Sequence, residues 1–188
     1  MTNEIKIRRA VMEDAVMLAE LCYKTFWDAF HEHPENAPED MADYMEKAFN
    51  VETLHAELAE ENSIFLIAEI DNKAAGYAKI TLGAIEDGIT AQKPIELNRL
   101  YSHQKFLGKG VGAKLMGECF RIGRENNCDV MWLGVWEFNP RAQAFYKKYG
   151  FCEVGKHIFQ LGNDPQTDLL MQVKVEKANR EEGEKKKN

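Results

Sequence analysis

The chain of 188 residues is short of several things, and each shortage excludes something. Its four cysteines, Cys22, Cys119, Cys128 and Cys152, have no Cys-x-x-Cys spacing. That scatter argues against a zinc site or a disulfide framework, and for reduced thiols in the cytoplasm. Positive charge is scarce: 24 Lys and Arg stand against 31 Asp and Glu, a formal net of -7. Nucleic acid is therefore a poor partner, while a cationic substrate is compatible. No apolar run approaches membrane-spanning length, and Met1 to Arg9 has no apolar core of signal-peptide size, so no membrane partner is expected. No internal repeat is visible. A nucleotide-binding run of Gly, four residues and Gly-Lys-Ser/Thr is also missing. The remainder, 45% hydrophobic and 29% charged, is the composition of one globular domain large enough to bury a core.

What is present centres on Ile95 to Ala113. Ile95, Leu97 and Arg99 alternate with Glu96, Asn98 and Leu100, which predicts a strand with two distinct faces. From Val111, the residues Val111, Leu115, Cys119 and Ile122 recur at helical spacing, so Gly112 falls in the first turn. Between strand and helix lies Leu107-Gly108-Lys109-Gly110. Glycines there let the backbone approach a ligand closely, and the first amides of a helix have no internal partner, so phosphate oxygens suit the site. Gly108 to Ala113 also matches the loose dinucleotide fingerprint. Its context does not: loop residues His103 to Leu107 intervene after the strand, and Asp129 precedes the next apolar run, Val130 to Val135.

The rest of the chain reads as mixed α/β. Ile5 to Arg8 alternates as a first strand, and a helix follows carrying Val16, Leu18, Leu21 and Cys22. Its aromatics Tyr23, Phe26, Trp27 and Phe30 form either a core stripe or part of a pocket wall. Between Asp28 and Glu60 ten carboxylates face Lys47 alone, as a solvated helical face or as a funnel for a polycation. Pro34 and Pro38 break that segment before a helix at about Met41 to Phe49. His31-x-His33 has metal-pair spacing without a third ligand, and no metal is expected. Ser63 to Ile70 and Ala75 to Leu82 form a hairpin about Asp71-Asn72-Lys73. Val130 to Trp136 is a strand and Arg141 to Tyr149 a helix capped by Gly150. Phe151 to Val154 and Leu169 to Val175 supply the last strands. Glu176 to Asn188, with its lysine run, is expected to be a disordered tail on a domain of residues 1–175.

Two motifs in order carry a family resemblance. Leu107-Gly108-Lys109-Gly110-Val111-Gly112 is similar to the Gln/Arg-x-x-Gly-x-Gly/Ala loop of the GNAT N-acetyltransferases, with Leu107 departing at the first position. Asn139-Pro140-Arg141-Ala142-Gln143-Ala144-Phe145-Tyr146-Lys147-Lys148-Tyr149-Gly150-Phe151 resembles a second motif of that family. Trp132 to Glu137, Gln166 to Leu169 and the early Thr25-Phe26 resemble its PaiA-type spermidine/spermine N-acetyltransferases. The resemblance implies a single domain with a mixed central sheet flanked by helices, and acetyl-CoA as cosubstrate.

It also implies roles. Tyr146 stands at the tyrosine held to protonate the departing CoA sulfur. Glu96, 11 positions before Leu107, stands where the family's glutamate base sits; spacing alone leaves it base, counter-charge or exposed strand residue. Backbone groups of Leu100, Tyr101 and Ser102 would pair with the pantetheine arm, with Asn139 near it. Leu107, Gly108, Gly110, Val111 and Gly112 would cradle the pyrophosphate, with Lys109 and Lys148 near CoA phosphates. Glu137, Asp28 and Glu32 are the expected cation partners, and His103 is an alternative base. The leading function is acetyl transfer to a polyamine or other small primary amine in a ternary complex. A protein or peptide N-acetyltransferase and a non-catalytic CoA-binding module are the alternatives. The oligomeric state stays open, a homodimer included.

Overall fold

The structure, a computed structural model, describes residues 4–176. The expected tail from 177 onward lies outside the described residues. Strand β1 (Lys6–Arg9) leads through a short 3-10 turn into helix α1 (Ala15–Phe30). Helices α2 (Pro38–Ala48) and α3 (Val51–Ala59) follow, then strands β2 (Ser63–Ile70), β3 (Lys73–Leu82) and β4 (Pro94–Ser102). Helix α4 (Val111–Glu125), β5 (Val130–Trp136), α5 (Pro140–Lys148), β6 (Cys152–Leu161) and β7 (Asp164–Lys174) complete the described chain.

The seven strands form one sheet in the order β1-β2-β3-β4-β5-β7-β6. All neighbours are antiparallel except β4 and β5, which run parallel across the α4 crossover. Strand alternation sends residues to two cores. On one face Leu66, Ile80, Ile95 and Met131 pack against Leu115, Cys119 and Ile122 of α4. On the other, Phe65, Ile67 and Tyr77 pack against Leu18 and Cys22 of α1, Met41 and Met45 of α2, and Leu54 of α3. The four cysteines are free thiols, and no described helix is long and apolar enough to cross a membrane.

Three local features depart from the sequence reading. Helix α3 adds to the elements expected from the sequence, and Asn50 caps it by accepting from the Thr53 amide at 2.8 Å. The last hairpin is longer than expected, because β6 runs on to Leu161 and turns at Gly162. The third concerns β4. Ile80 pairs with Leu97 but Lys79 pairs with Arg99, so Asn98 is a bulge. The extra residue reverses the phase of the strand. Leu97 and Leu100 both join the α4 core, while Arg99 leaves the face predicted for it and turns to the α1 side.

Candidate active site

The parallel pairing of β4 with β5 is short. Pro94, Ile95 and Glu96 oppose Val130, Met131 and Trp132, and there the pairing stops. Beyond it the two strands run on without each other, and a cavity of about 870 Å³ lies where they part. Leu97 to Ser102 of β4 and Gly134 to Trp136 of β5 line it, closed by parts of α1, α2, α5, β6 and β7. Because β5 leaves the edge of β4 uncovered, backbone N–H and C=O groups there are free to pair with an extended ligand.

At one end of the cavity stands the start of α4. Gly110 is its cap residue with φ 89°, and Gly108 has φ 76°; both conformations favour glycine. Leu107, Gly108, Gly110, Val111 and Gly112 all line the cavity, so the loop and the helix terminus face it. Four amides without helical partners and the positive end of the helix dipole make this an anion cradle. Lys148, from the last turn of α5, lines the same cavity.

Tyr146 reaches the cavity from α5 while remaining buried among Phe145 and Phe151. Burial raises its phenol above the ordinary tyrosine value, so it stays protonated. Glu96 is half-buried at the fork of the strands, and burial pushes its carboxyl above the usual range, opposed by a hydrogen bond from Asn98. Asn98 is thus no defect. Its Oδ1 accepts from Thr81 Oγ1 at 2.7 Å, so the bulge residue is tethered while it orients Glu96.

Residues 20–151 match the model of the acetyltransferase (GNAT) family. Over 167 residues the chain is 34% identical to an uncharacterized N-acetyltransferase in the pepI 3' region of Lactobacillus delbrueckii subsp. lactis, covering 89% of this chain and 95% of that one. The chain belongs to the GNAT acetyltransferase family. An uncharacterized N-acetyltransferase of Mycobacterium tuberculosis is 31% identical over 160 residues, 85% of this chain and 97% of the relative. In fold the chain matches the PaiA N-acetyltransferase of Thermoplasma acidophilum, solved with coenzyme A, at TM-score 0.71 and 21% identity over 91% of this chain and 99% of that one. It likewise matches yncA of Salmonella typhimurium, solved with acetyl-CoA, at TM-score 0.67 and 20% identity over 94% of this chain and 97% of that one.

Within this GNAT domain the expected site residues divide. Glu96, Tyr146, Leu100, Tyr101, Ser102, Asn139, Lys148 and Asp28 line one cavity, together with the loop residues already named. Asn139 has a prior engagement, since its Oδ1 caps α5 by accepting from the Ala142 amide at 3.1 Å. Others fall elsewhere. Lys109 does not line the cavity; its Nζ sits 5.2 Å above the Phe106 ring. Glu32 does not line it either, and its side chain is 88% exposed. Glu137 lies outside the lining, 3.8 Å from Lys156 Nζ, and its charge opposes the ionisation of Asp168. His103 steadies the 3-10 turn of Gln104–Phe106, its ring accepting from the Lys105 amide.

The acidic segment mostly faces solvent. Of its carboxylates between 28 and 46, only Asp28 lines the cavity, and Lys24 pairs with it. Glu57 is spent internally: it accepts from Arg99 at 2.7 and 3.0 Å and pairs with Lys79 at 2.8 Å, all three largely buried. The α1 aromatics split in the same way. Phe26 and Phe30 line the cavity, whereas Tyr23 and Trp27 are exposed. His31 stacks on Trp27 and His33 packs against Trp136, and no described group of three or more His, Cys, Asp or Glu could hold a metal.

Two cavity residues went unassigned in the sequence. His157 of β6 pairs across the hairpin with Asp168 of β7, and both line the cavity. They reach it over Gly134, where a Cβ would lie 2.8 Å from His157 Nε2 and 3.1 Å from Asp168 Oδ2. Burial lifts Asp168 to about 6 against the opposing pull of His157. A glycine inside the otherwise bulky strand Val130–Trp136 was the available signal.

Proposed function

We propose that this GNAT enzyme moves the acetyl group of acetyl-CoA directly to a primary amine of a polyamine. Family membership carries the coarser part, an acetyl-CoA-dependent N-acetyltransferase. One observation carries the finer part. Asp28, Glu96 and Asp168, from three separate elements, line a cavity whose wall includes Phe26, Phe30, Tyr44 and Trp136. A linear polyamine alternates ammonium groups with methylenes; carboxylates and ring faces suit the first, and apolar rings the second.

The residues at the other end fit the donor. The α4 terminus and its glycine loop offer amides to a pyrophosphate, and the open edge of Leu100 to Ser102 offers backbone groups to the pantetheine amides. The amine must shed a proton before it attacks, because ammonium has no free electron pair. Glu96, less acidic than an exposed glutamate, is placed to accept it directly or through water. As the C–N bond forms and the C–S bond breaks, the Tyr146 hydroxyl donates its proton to the departing sulfur, and the second proton shed by the nitrogen restores the phenol. A covalent relay on cysteine has no support. Burial raises Cys22 to about 11 and Cys119 to about 12, and no cysteine lines the cavity.

The test is thiol release from acetyl-CoA with spermidine, spermine, a monoamine and a Lys-bearing peptide in parallel. Polyamines are expected to give the highest kcat/KM, with intersecting initial-rate lines. Preference for the peptide, or parallel lines, overturns the reading.

A further inference from the structure

Acetylation of an amine has a proton surplus. An ammonium begins with three N–H bonds and its amide ends with one; the departing thiolate keeps one proton, and the other must leave the site. Glu96 is half-buried, so a proton it accepts needs a way out. We propose that His157 is that way out: a proton-relay residue between Glu96 and the surface carboxylate Glu86, held in place by Asp168. This rests on the direct-transfer reading above.

The geometry has a direction. Nε2 of His157 is buried, lies 3.7 Å from Asp168 Oδ2 over Gly134, and has no hydrogen-bond partner among the described residues. Nδ1 points the other way, 3.5 Å from Glu86 Oε2, and the Glu86 side chain is 37% exposed. One ring thus spans from cavity wall to surface. The Nδ1–Glu86 contact is a long hydrogen bond, and the Nε2–Asp168 separation is longer still. Glu96 and His157 line the same cavity, so water there can join the two, and the charges of His157 and Glu86 both act on the Glu96 carboxyl. The other charges nearby are Glu137, which acts on Asp168, and Lys79, which acts on Glu96 but is paired with Glu57. Lys156 stands beside Glu137.

The step balances. The O–H bond of protonated Glu96 breaks and an N–H bond forms at Nε2, giving an imidazolium flanked by Asp168 and Glu86. The Nδ1–H bond then breaks to Glu86 and water, and the ring turns or exchanges protons with water to reset. The alternative, a purely structural histidine, leaves unexplained why β5 gives up a side chain at Gly134 to bring this ring and Asp168 to the cavity.

The experiment compares wild type, His157→Gln, His157→Ala and Glu86→Gln with spermidine, recording kcat, KM, pH profile and acetyl-CoA affinity. For His157→Gln kcat is expected to fall about tenfold to hundredfold, as for loss of a proton-transfer group. KM should hold within about twofold, since binding is not what is removed. Added imidazole should restore His157→Ala. Glu86 is a partly exposed loop residue outside both cores, and the smaller loss of Glu86→Gln should shrink as buffer concentration rises, because buffer replaces the surface acceptor. Unchanged kcat and pH profile, a pure KM effect in His157→Gln, or a buffer-independent Glu86→Gln would each overturn the relay. Wild-type turnover with an amine is measured first: its absence defeats the functional reading, whereas indifferent variants of an active enzyme defeat the relay alone.

Discussion

Glu96 and Trp132 are the last residues of β4 and β5 to stand opposite each other before the parallel strands part. Trp132 is pinned there, its indole N–H donating to the Ala84 carbonyl at 2.8 Å. One step further along, the sheet has opened into the cavity. Glu96 therefore keeps its backbone in a ladder while its side chain enters a half-buried space. Side chains alternate along a strand, so a slip of one residue would turn that carboxylate to the opposite core. The catalytic assignments all depend on this fork.

Tyr146→Phe removes one hydroxyl from a residue that otherwise packs as Phe would. Its kcat is expected to fall about tenfold to a thousandfold, the usual scale for a general acid. Acetyl-CoA affinity and Tm should stay near wild type. Steady-state thiol release and a thermal melt decide it; an unchanged kcat removes Tyr146 from the chemistry.

Glu96→Gln addresses pH. Burial raises the Glu96 pKa, so the folded chain binds more protons than the unfolded chain in the window from the ordinary glutamate value up to the raised one. The contribution of this group to stability is full below that window and lost as pH rises through it. Gln carries no such cost, so the variant should melt higher than wild type at neutral pH while losing most of its kcat. The acid limb of the wild-type profile should also sit above the ordinary carboxylate range and vanish in the variant. A lower Tm with activity intact would refute both halves.

Glu57→Gln should be costly without touching the reaction. It leaves Arg99 and Lys79 buried with no counter-charge, and breaking such a pair costs about 3–5 kcal/mol. For a chain of this size that is a Tm loss on the order of 10 °C. Calorimetry at neutral pH measures it, and a loss of a degree or two would mean that water or a rotamer change rescues the pair.

The carboxylates proposed to bind the cation can be separated by position. Asp28→Asn and Asp168→Asn should each raise the KM for spermidine about fivefold or more, the cost of one charge-assisted contact. Glu32→Gln should leave it alone, because that side chain faces solvent. If neutralising Glu32 weakens spermidine as much as Asp28→Asn does, a diffuse acidic field rather than cavity contact governs capture.

Much of the site was legible because two of its parts are local. The loop Leu107 to Gly112 and the helix behind it declare themselves through glycine spacing and helical periodicity, and the structure puts both at the cavity. Asn139 to Phe151 is equally local, a capped helix with Gly150 at φ 85° beyond its end. The expected residues that fall outside the cavity lining depend on neighbours distant in sequence. Lys109 and Glu32 bear the right charge in the right stretch, yet nothing in a sequence says which way a surface side chain points. Strict alternation puts Arg99 on the wrong face, because a bulge at Asn98 disturbs a period of two without changing composition.

The sequence by itself determined the kinds of element, the anion cradle and the tyrosine helix, since hydrophobic period, caps and glycine conformations are properties of neighbouring residues. Tertiary structure alone decided which titratable side chains line the cavity. Glu96, Asp168 and His157 come from β4, β7 and β6, and only the strand order and the opening between β4 and β5 bring them to one wall. Electrostatic function at this site is a matter of distance and burial, and both are fixed by pairings that span the chain.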